Sequence, residues 1–224
     1  EAHAAGVYDD EILERWRLRL AMSETELDGH LRELYPGGKL RAPRHWTDER
    51  FNRPAQPVVG ITWLEAQAYC LWLAHQSGLA FRLPTEVEWE AAARGAEGRR
   101  YAWGDAMDTA RCNVISTHVM HPSPIGVFPE GDTPEGLSDM TGNSADLTQS
   151  AWGTSPGDTD FPYPYTADHG GDRRDAERSP YHIGRAGGWW DNAVSAQAAC
   201  RTAFHVTETG DNLGLRLCIE GKPG

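Results

Sequence analysis

Cysteine and long apolar runs are scarce in this sequence of 224 residues. The four cysteines, at positions 70, 112, 200 and 218, include no C-x-x-C pair, which excludes zinc-ribbon and thioredoxin-like motifs. The most apolar runs, such as 57–63 and 66–74, are much shorter than the roughly 20 apolar residues that cross a bilayer. We therefore predict no membrane span and, because no signal peptide heads the sequence, a cytoplasmic location.

Basic residues are also in deficit, with 21 Lys and Arg against 33 Asp and Glu and a formal net charge of −12. Nucleic-acid binding needs clustered positive charge, so we exclude a nucleic-acid partner. Because the first residue is Glu1 rather than Met, we expect a trimmed, processed or partial chain. Nine tryptophans against five phenylalanines suit either a binding surface or an irregular, loop-rich core, and both interpretations stay open.

Four helices are predicted, all of them before residue 96. One follows the acidic stretch 9–11, and the other three begin at S/T-x-x-E capping boxes, Ser23–Glu26, Thr62–Glu65 and Thr85–Glu88. Gly78 and Gly95 are expected to end the last two helices. The helix after Thr62 is predicted to carry one stripe of residues on Leu64, Ala68, Leu71 and His75.

Short strands are predicted at 58–62 and 81–83, next to the second and third capping boxes. After Gly95 the sequence holds most of its glycine, proline, asparagine and aspartate, and no convincing helix remains. We therefore expect short strands and long ordered loops from residue 96 onward.

Five stretches resemble, in order, the signature of the formylglycine-generating enzyme (sulfatase-modifying factor) family. They are PVVGITW at 57–63, FRLPTEVEWEAAARG at 81–95, GLSDMTGN at 136–143, RAGGW at 185–189 and NLGLR at 212–216. The resemblance runs from about residue 43 to 218. It implies an α+β, C-type-lectin-like fold with few helices, a twisted antiparallel sheet and extensive irregular loops. We accordingly predict a helical N-terminal segment at 1–42, packed on or leading into the main domain at 43–224.

The resemblance implies a scaffold rather than an activity. Oxidising members carry two nearby cysteines after the Gly-Gly to bind copper, whereas this chain has none between Gly187 and Ala199, and Cys200 stands alone beyond them. Sulfoxide-synthase relatives add a His-x-x-x-His-x-Glu iron motif, which none of the nine histidines forms; His118 and His121 are only three apart. We therefore expect neither copper nor iron and favour a non-catalytic role. A divergent metal-dependent oxidase that acts on a thiol substrate stays open as the alternative.

Structural calcium is the metal that the resemblance implies, because the matching segment offers the hard oxygen ligands that Ca²⁺ prefers. The ligands carried over are two side chains and two backbone carbonyls, those of Asp139, Asp146, Gly142 and Ser144. A second family site corresponds to Asn113 and the carbonyl of Val114, although the loop that should return an aspartate is shortened here. The resemblance also implies a Cys70–Cys218 disulfide, with reduced thiols as the alternative.

A second branch of the resembled fold family, the variable proteins of diversity-generating retroelements and related bacterial receptors, binds ligands with the segment after the Gly-Gly. On that pattern we predict a recognition surface around 189–209, with Trp189 buried. The predicted outward residues are Trp190, Asp191, Asn192, Ser195, Gln197, Thr202, Phe204, His205, Thr207 and Thr209. Rigid aromatic rings among adaptable hydrogen-bonding groups are typical of antibody binding surfaces.

The predicted ligand is an unknown protein or small molecule. The stretch 160–171 resembles an insertion of bacterial relatives that are fused to protease-like or nucleotide-binding modules. We therefore expect part of a larger bacterial receptor or effector, or a retroelement-diversified protein. A purely structural module that packs against a neighbouring domain is the third interpretation.

Overall fold

The computed structural model divides into two units, Glu1–Ala42 and Pro43–Gly224, and the described residues of the first unit form two helices. The structure describes residues 10–34, 42–163, 165 and 179–220. Helix α1 spans Asp10–Leu20 and helix α2 spans Glu24–Leu34. The predicted capping box begins α2, because the Ser23 N–H donates to Glu26 Oε2 at 2.8 Å and the Glu26 N–H donates to Ser23 Oγ at 3.3 Å.

The second unit begins its helices at the other two predicted capping boxes. Helix α3 spans Trp63–Ser77 after Thr62, and helix α4 spans Glu86–Arg94 after Thr85; both reciprocal boxes are complete. Helix α3 ends at Gly78, whose φ of +72° lies in the left-handed region that a residue without Cβ adopts easily. Local hydrogen bonding therefore fixes these boundaries.

The buried face of α3 differs from the predicted stripe. Trp63, Ala66 and Cys70 face the core, whereas Leu71 is 70% exposed. Ala68 and His75 are exposed as well, so the prediction of this stripe was wrong. Because α3 carries apolar residues on nearly all sides, periodicity could not distinguish its two faces.

Four strands form the main sheet: β2 is Ala145–Gly153, β3 is Tyr181–Arg185, β4 is Thr202–His205 and β5 is Leu213–Leu215. Their spatial order is β4, β3, β2, β5. The pairs β2–β3 and β3–β4 are antiparallel and the pair β2–β5 is parallel, so the sheet is mostly antiparallel, as expected. A separate antiparallel pair joins β1, Phe81–Arg82, to β6, Cys218–Ile219.

The predicted strand at 58–62 is absent from the described structure. Gly60 has a φ of +74°, far from the value near −120° that a strand requires. Its N–H instead lies 3.2 Å from the Gly210 oxygen and 3.1 Å from the Leu213 oxygen. A left-handed glycine therefore interrupts the segment before a ladder can form.

The predicted Cys70–Cys218 disulfide is also absent, because Cys218 carries a free thiol. Past Gly95, the only helical pieces in the described residues are three single 3₁₀ turns at 109–111, 115–117 and 129–131. The expectation of long ordered loops therefore holds for this part of the chain. Within the described ranges, no helix has the length and apolar character needed to cross a bilayer.

Two clusters of buried apolar side chains form much of the core of the second unit. The first brings Trp63 of α3 together with Leu147 of β2 and Leu213 of β5. The second brings Trp89 of α4 together with Met140 and with several alanines, most of them from the loops. The two long helices of this unit therefore each contribute one large anchor ring to the core.

A buried carboxylate, Glu86, joins α4 to the sheet. Arg185, at the end of β3, donates from Nη1 to Glu86 Oε1 at 2.6 Å, and both side chains are fully buried. Arg201, just before β4, donates from Nε to the same oxygen at 2.6 Å and from Nη2 to Oε2 at 3.0 Å. The Glu86 N–H donates to Ser150 Oγ of β2 at 2.9 Å. One side chain thus links α4, β3 and the start of β4.

His182 of β3 is a buried histidine that stacks on Trp63, with ring centroids 3.9 Å apart. Burial lowers its pKa from the ordinary 6.5 to about 4, and it outweighs the opposite effect of backbone groups at Gln149, Ser150 and Ser179. The folded protein therefore holds His182 neutral in a pH range where the unfolded chain binds a proton.

Because the folded-state pKa lies below the unfolded one, the contribution of His182 is present above pH 6.5 and is lost as pH falls toward 4. We expect the free energy of unfolding to decrease by up to about 3 kcal/mol over this window from this residue. Urea denaturation at several pH values measures the effect. His182→Phe should flatten the profile, whereas His75→Gln, at an exposed position, should leave it unchanged. Equal profiles for His182→Phe and the unaltered protein would contradict the assignment.

Candidate functional site

Two neighbouring tryptophans follow the Gly-Gly; the side chain of the first is buried and that of the second is exposed. Trp189 is 6% exposed, as predicted, and its Nε1 donates to the Asp211 oxygen at 3.1 Å. Trp190 is 57% exposed and meets Trp189 edge to face, with centroids 5.6 Å apart. Gly188 is required beside them, because an added Cβ would lie 2.5 Å from the Asn212 Cβ. The buried ring therefore supports the exposed one.

The two polar side chains after Trp190 accept hydrogen bonds from within the protein, most of them from the backbone of their own loop. Asp191 accepts from the Gly188 N–H and from Asn212 Nδ2, both at 2.7 Å. Asn192 Oδ1 accepts from the backbone N–H groups of Val194 at 2.8 Å and of Ser195 at 3.1 Å. These bonds fix the backbone around Trp190, which reduces the entropy that a ligand would have to overcome on binding.

The second half of the predicted surface lies on β4 and the turn after it. Phe204 is half-buried against Gly184, where an added Cβ would come within 2.3 Å of its ring. His205 Nδ1 lies 2.8 Å from Thr207 Oγ1, and Arg44 reaches Thr209 Oγ1 at 3.4 Å.

Exposure therefore divides the ten predicted residues. The exposed ones are Trp190, Asn192 and Thr202. The others are partly buried: Asp191, Ser195, Gln197, Phe204, His205, Thr207 and Thr209.

Residues far away in the sequence complete the surface around Trp190. His45 stacks on Phe51 with centroids 4.5 Å apart, and Phe51 lies 6.1 Å from Trp189. We call the four rings His45, Phe51, Trp189 and Trp190 the aromatic patch. Sequence reasoning missed the first two, because the Pro- and Arg-rich stretch that contains them gives no pattern pointing to the Gly-Gly segment.

Polar groups border the aromatic patch. His45 Nε2 lies 2.8 Å from Asp211 Oδ1, and Arg44 Nη1 lies 3.7 Å from the same oxygen. On the other side, the Ile115 N–H donates to the Asp191 oxygen at 3.0 Å and attaches the 115–117 turn to this loop. The four rings thus come from two loop segments, and hydrogen bonds attach two further loops, around 211 and 115, to them.

The cysteine that follows the Gly-Gly segment, and the grouping of His, Cys, Asp and Glu side chains, bear on whether the site is reactive. Cys200 is half-buried, and burial raises the pKa of its thiol, which disfavours the reactive thiolate. Within the described ranges, no three His, Cys, Asp or Glu side chains are grouped so that they could hold a metal ion. Exposed ring surface and fixed hydrogen-bonding groups are what this site offers, which suits binding.

The first predicted calcium set fits a cation in part. Burial raises the pKa of Asp139, and the neighbouring Asp146 carboxylate raises it further, so a bound cation would offset both effects. Asp146 Oδ2, however, already accepts from Trp89 Nε1 and from Arg216 Nε, both at 2.9 Å. A calcium ion would therefore have to share Asp146 with the arginine.

The second predicted calcium set is occupied by hydrogen bonds within the protein. Asn113 Nδ2 donates to the His121 oxygen at 2.9 Å and to Asn143 Oδ1 at 3.3 Å. The Val114 oxygen accepts from Thr117 Oγ1 at 2.6 Å. Because the Asn113 amide nitrogen donates to these oxygens and a hydroxyl donates to the Val114 oxygen, the set in this arrangement does not fit a cation.

The sequence matches the family model described as "Sulfatase-modifying factor enzyme 1-like domain" over residues 22–220. It is 32% identical over 196 residues to the hercynine oxygenase of Mycolicibacterium thermoresistibile and 34% identical over 189 residues to the inactive C-alpha-formylglycine-generating enzyme 2 of Bos taurus. These matches cover 80% and 74% of this chain but only 41% and 50% of the relatives. The chain thus spans half or less of their length.

Among solved structures, Treponema denticola variable protein 1 matches with a TM-score of 0.60 and 20% sequence identity. The match covers 79% of this chain and 77% of that protein. The likeness confirms the predicted α+β fold. The family-model match and the curated relatives confirm the family resemblance that the sequence motifs indicated.

Unequal burial of the two tryptophans predicts unequal effects on stability. We expect Trp189→Ala to lower the free energy of unfolding by about 3 kcal/mol, because it removes a buried ring. Trp190→Ala should lower it by less than about 1 kcal/mol, because most of its ring is already in water. Urea denaturation compares the two variants. Similar losses would show that Trp190 is a core residue rather than a surface one.

Proposed function

Because the chain belongs to the sulfatase-modifying factor enzyme 1-like family, we propose that it is a member whose role is recognition rather than catalysis. On this proposal the aromatic patch, with the residues of 189–209 around it, binds a protein or small-molecule ligand. The observation that carries it is the exposed Trp190, supported by a buried ring and a hydrogen-bonded loop, in the segment where the oxidising members hold cysteines.

The chemistry of the patch supports binding in two ways. Trp190, Phe51 and His45 present rings whose conformations neighbouring contacts restrict, so little entropy is lost when a ligand covers them. Asn192 and the exposed carboxylate of Asp211 add hydrogen-bonding groups near the rings. Aromatic centres surrounded by polar groups are typical of protein interfaces.

The biological setting is proposed from the relatives. Treponema denticola variable protein 1 shares the fold, which is consistent with a retroelement-diversified protein or with a domain of a larger bacterial receptor or effector. The insertion that would link this chain to protease-like or nucleotide-binding modules is described only up to residues 163 and 165; the rest of 160–171 lies outside the described residues.

A divergent oxidase that acts on a thiol substrate is the second candidate, and its support is the identity to a hercynine oxygenase. Cys200 would be the residue to engage the thiol, because it is the cysteine nearest the Gly-Gly segment in the sequence. Incubation of the protein with a cysteine-containing peptide and either copper or ferrous iron, followed by mass spectrometry, tests it. Conversion of the peptide that depends on Cys200 would favour the oxidase over the recognition domain.

A selection experiment tests the recognition surface directly. We expect random linear peptides displayed on phage, panned against the unaltered protein, to bind Trp190→Ala about tenfold more weakly or worse, as for a central aromatic contact. Binding is measured by biolayer interferometry. Trp72→Ala is the matched control, since Trp72 of α3 is 55% exposed and Trp190 is 57% exposed. Peptides that lose binding to Trp72→Ala and keep it with Trp190→Ala would contradict the proposed surface.

We further propose that Asp139 and Asp146, with the carbonyls of Gly142 and Ser144, hold a structural calcium. Calcium at 100 times its Kd should stabilise the fold by about 2.7 kcal/mol, measured as a rise in Tm over an EDTA-treated sample. Asp139→Asn should abolish the rise, whereas Asp158→Asn, at an exposed loop position, should keep it. A Tm that EDTA and calcium leave unchanged in the unaltered protein would contradict the site.

A further inference from the structure

The arginine before β4 is surrounded by aromatic rings. The Arg201 Cζ lies 5.3 Å from the ring centroid of Trp152, 4.8 Å from that of Tyr163 and 5.8 Å from that of Tyr165. The two tyrosines stack on each other at 4.7 Å. Ring faces carry negative electrostatic potential, so this enclosure favours a cation at its centre.

Hydrogen bonds define the orientation of that cation. Arg201 Nε and Nη2 both bind the buried Glu86 carboxylate, one to each oxygen. Nη2 also donates to the Phe161 oxygen at 3.2 Å and to the Tyr165 hydroxyl at 3.1 Å, and the same hydroxyl donates to Glu86 Oε2. A planar fork donates in parallel to both carboxylate oxygens, which a tetrahedral ammonium cannot do, and the second Nη2 hydrogen is shared between the Phe161 oxygen and the Tyr165 hydroxyl.

Hydrogen bonds attach the segment that supplies the two tyrosines at two places among its described residues. We call residues 159–163 and 165 the strap. At its first end, Thr159 Oγ1 and the Asp160 N–H both donate to the Trp152 oxygen, at 2.8 and 3.0 Å. Further along the strap, the Phe161 oxygen and the Tyr165 hydroxyl accept hydrogen bonds from Arg201, and the Tyr165 hydroxyl donates to Glu86.

The ion pairs around Glu86 outnumber its needs, so Arg201 is the cation that can be removed without leaving a buried carboxylate unpaired. Three guanidinium groups, those of Arg94, Arg185 and Arg201, face the two carboxylates of Glu86 and Glu90. If Arg201 leaves, Glu86 still has its ion pair with Arg185 at 2.6 Å. The buried carboxylate therefore keeps a partner and the remaining site keeps its shape.

We propose that these rings and the Glu86 carboxylate form a guanidinium-binding site, which holds Arg201 as its resident ligand and thereby latches the strap to β4. Thr202 of the recognition surface follows Arg201 directly, so the latch also fixes the position of the strap relative to that surface. Tyr163, whose ring contacts Arg201, is 41% exposed and therefore lies on the solvent side of the latch. The inference concerns the construction of the site and holds whether or not the aromatic patch binds a ligand.

Chemical rescue tests the site. Arg201→Ala in the full chain should lower Tm and increase the amide hydrogen exchange rates of 159–163 about tenfold, because the ring and carboxylate contacts are lost. Millimolar methylguanidinium should restore part of both, whereas methylammonium at the same concentration should restore less. The unaltered protein, with its site filled, should show no rise in Tm with methylguanidinium. Equal effects of the two cations on Arg201→Ala would overturn the proposal.

A second pair of variants decides the question if Arg201→Ala does not fold. Tyr163→Ala removes a half-exposed ring and should fold, yet it should accelerate exchange in the strap. Tyr163→Phe keeps the ring and should exchange as the unaltered protein does. Strap exchange in Tyr163→Ala that equals that of Tyr163→Phe would also overturn the proposal. Neither result depends on a ligand for the aromatic patch, so the outcome is separate from that of the peptide selection.

Discussion

The buried Glu86 carboxylate is the interaction on which the rest of the second unit depends. It stands in the first turn of α4, receives Arg185 from β3 and Arg201 from the start of β4, and its own N–H is bound to β2 through Ser150. A carboxylate without exposure to water is tolerated only while it keeps an ion-pair partner, and Glu86 has two, Arg185 and Arg201. This requirement fixes the helix, the sheet and the recognition segment in one arrangement.

The position of the two arginines explains how the recognition surface is held. Arg185 immediately precedes the Gly-Gly segment and Arg201 immediately precedes β4, so both ends of the intervening loop meet at the same carboxylate. Between these ends the loop is irregular, but Asp191 and Asn192 bind its backbone and Trp189 fills the space beneath. Trp190 is therefore exposed on a surface that has little freedom to rearrange, which is the property that a preorganised binding site needs.

This chain resembles its family in the residues that build the core, and it differs from the oxidising members in the loop after the Gly-Gly. The motifs that the chain shares with its family build the core: the capping box before α4, Trp89, Arg185 and the glycines of the turn. The residues that would carry oxidation in other members are replaced by a ring and hydrogen-bonding groups, and Cys200 lies half-buried at the end of the segment with a raised thiol pKa. On the proposed function, the supports that could place a reactive cysteine here present a contact surface instead.

The sequence by itself determined the features that depend on neighbours within a few residues. Capping boxes at Ser23, Thr62 and Thr85, the helix end at Gly78 and the loop-rich region after Gly95 were all predictable, because their hydrogen bonds and backbone angles are local. The ordered family motifs likewise identified the fold. Tertiary structure alone decided which face of α3 is buried, that Gly60 interrupts a strand, and that His45 and Phe51 join Trp189 and Trp190. Those outcomes depend on burial against distant segments, and no pattern along the chain records which segments will meet.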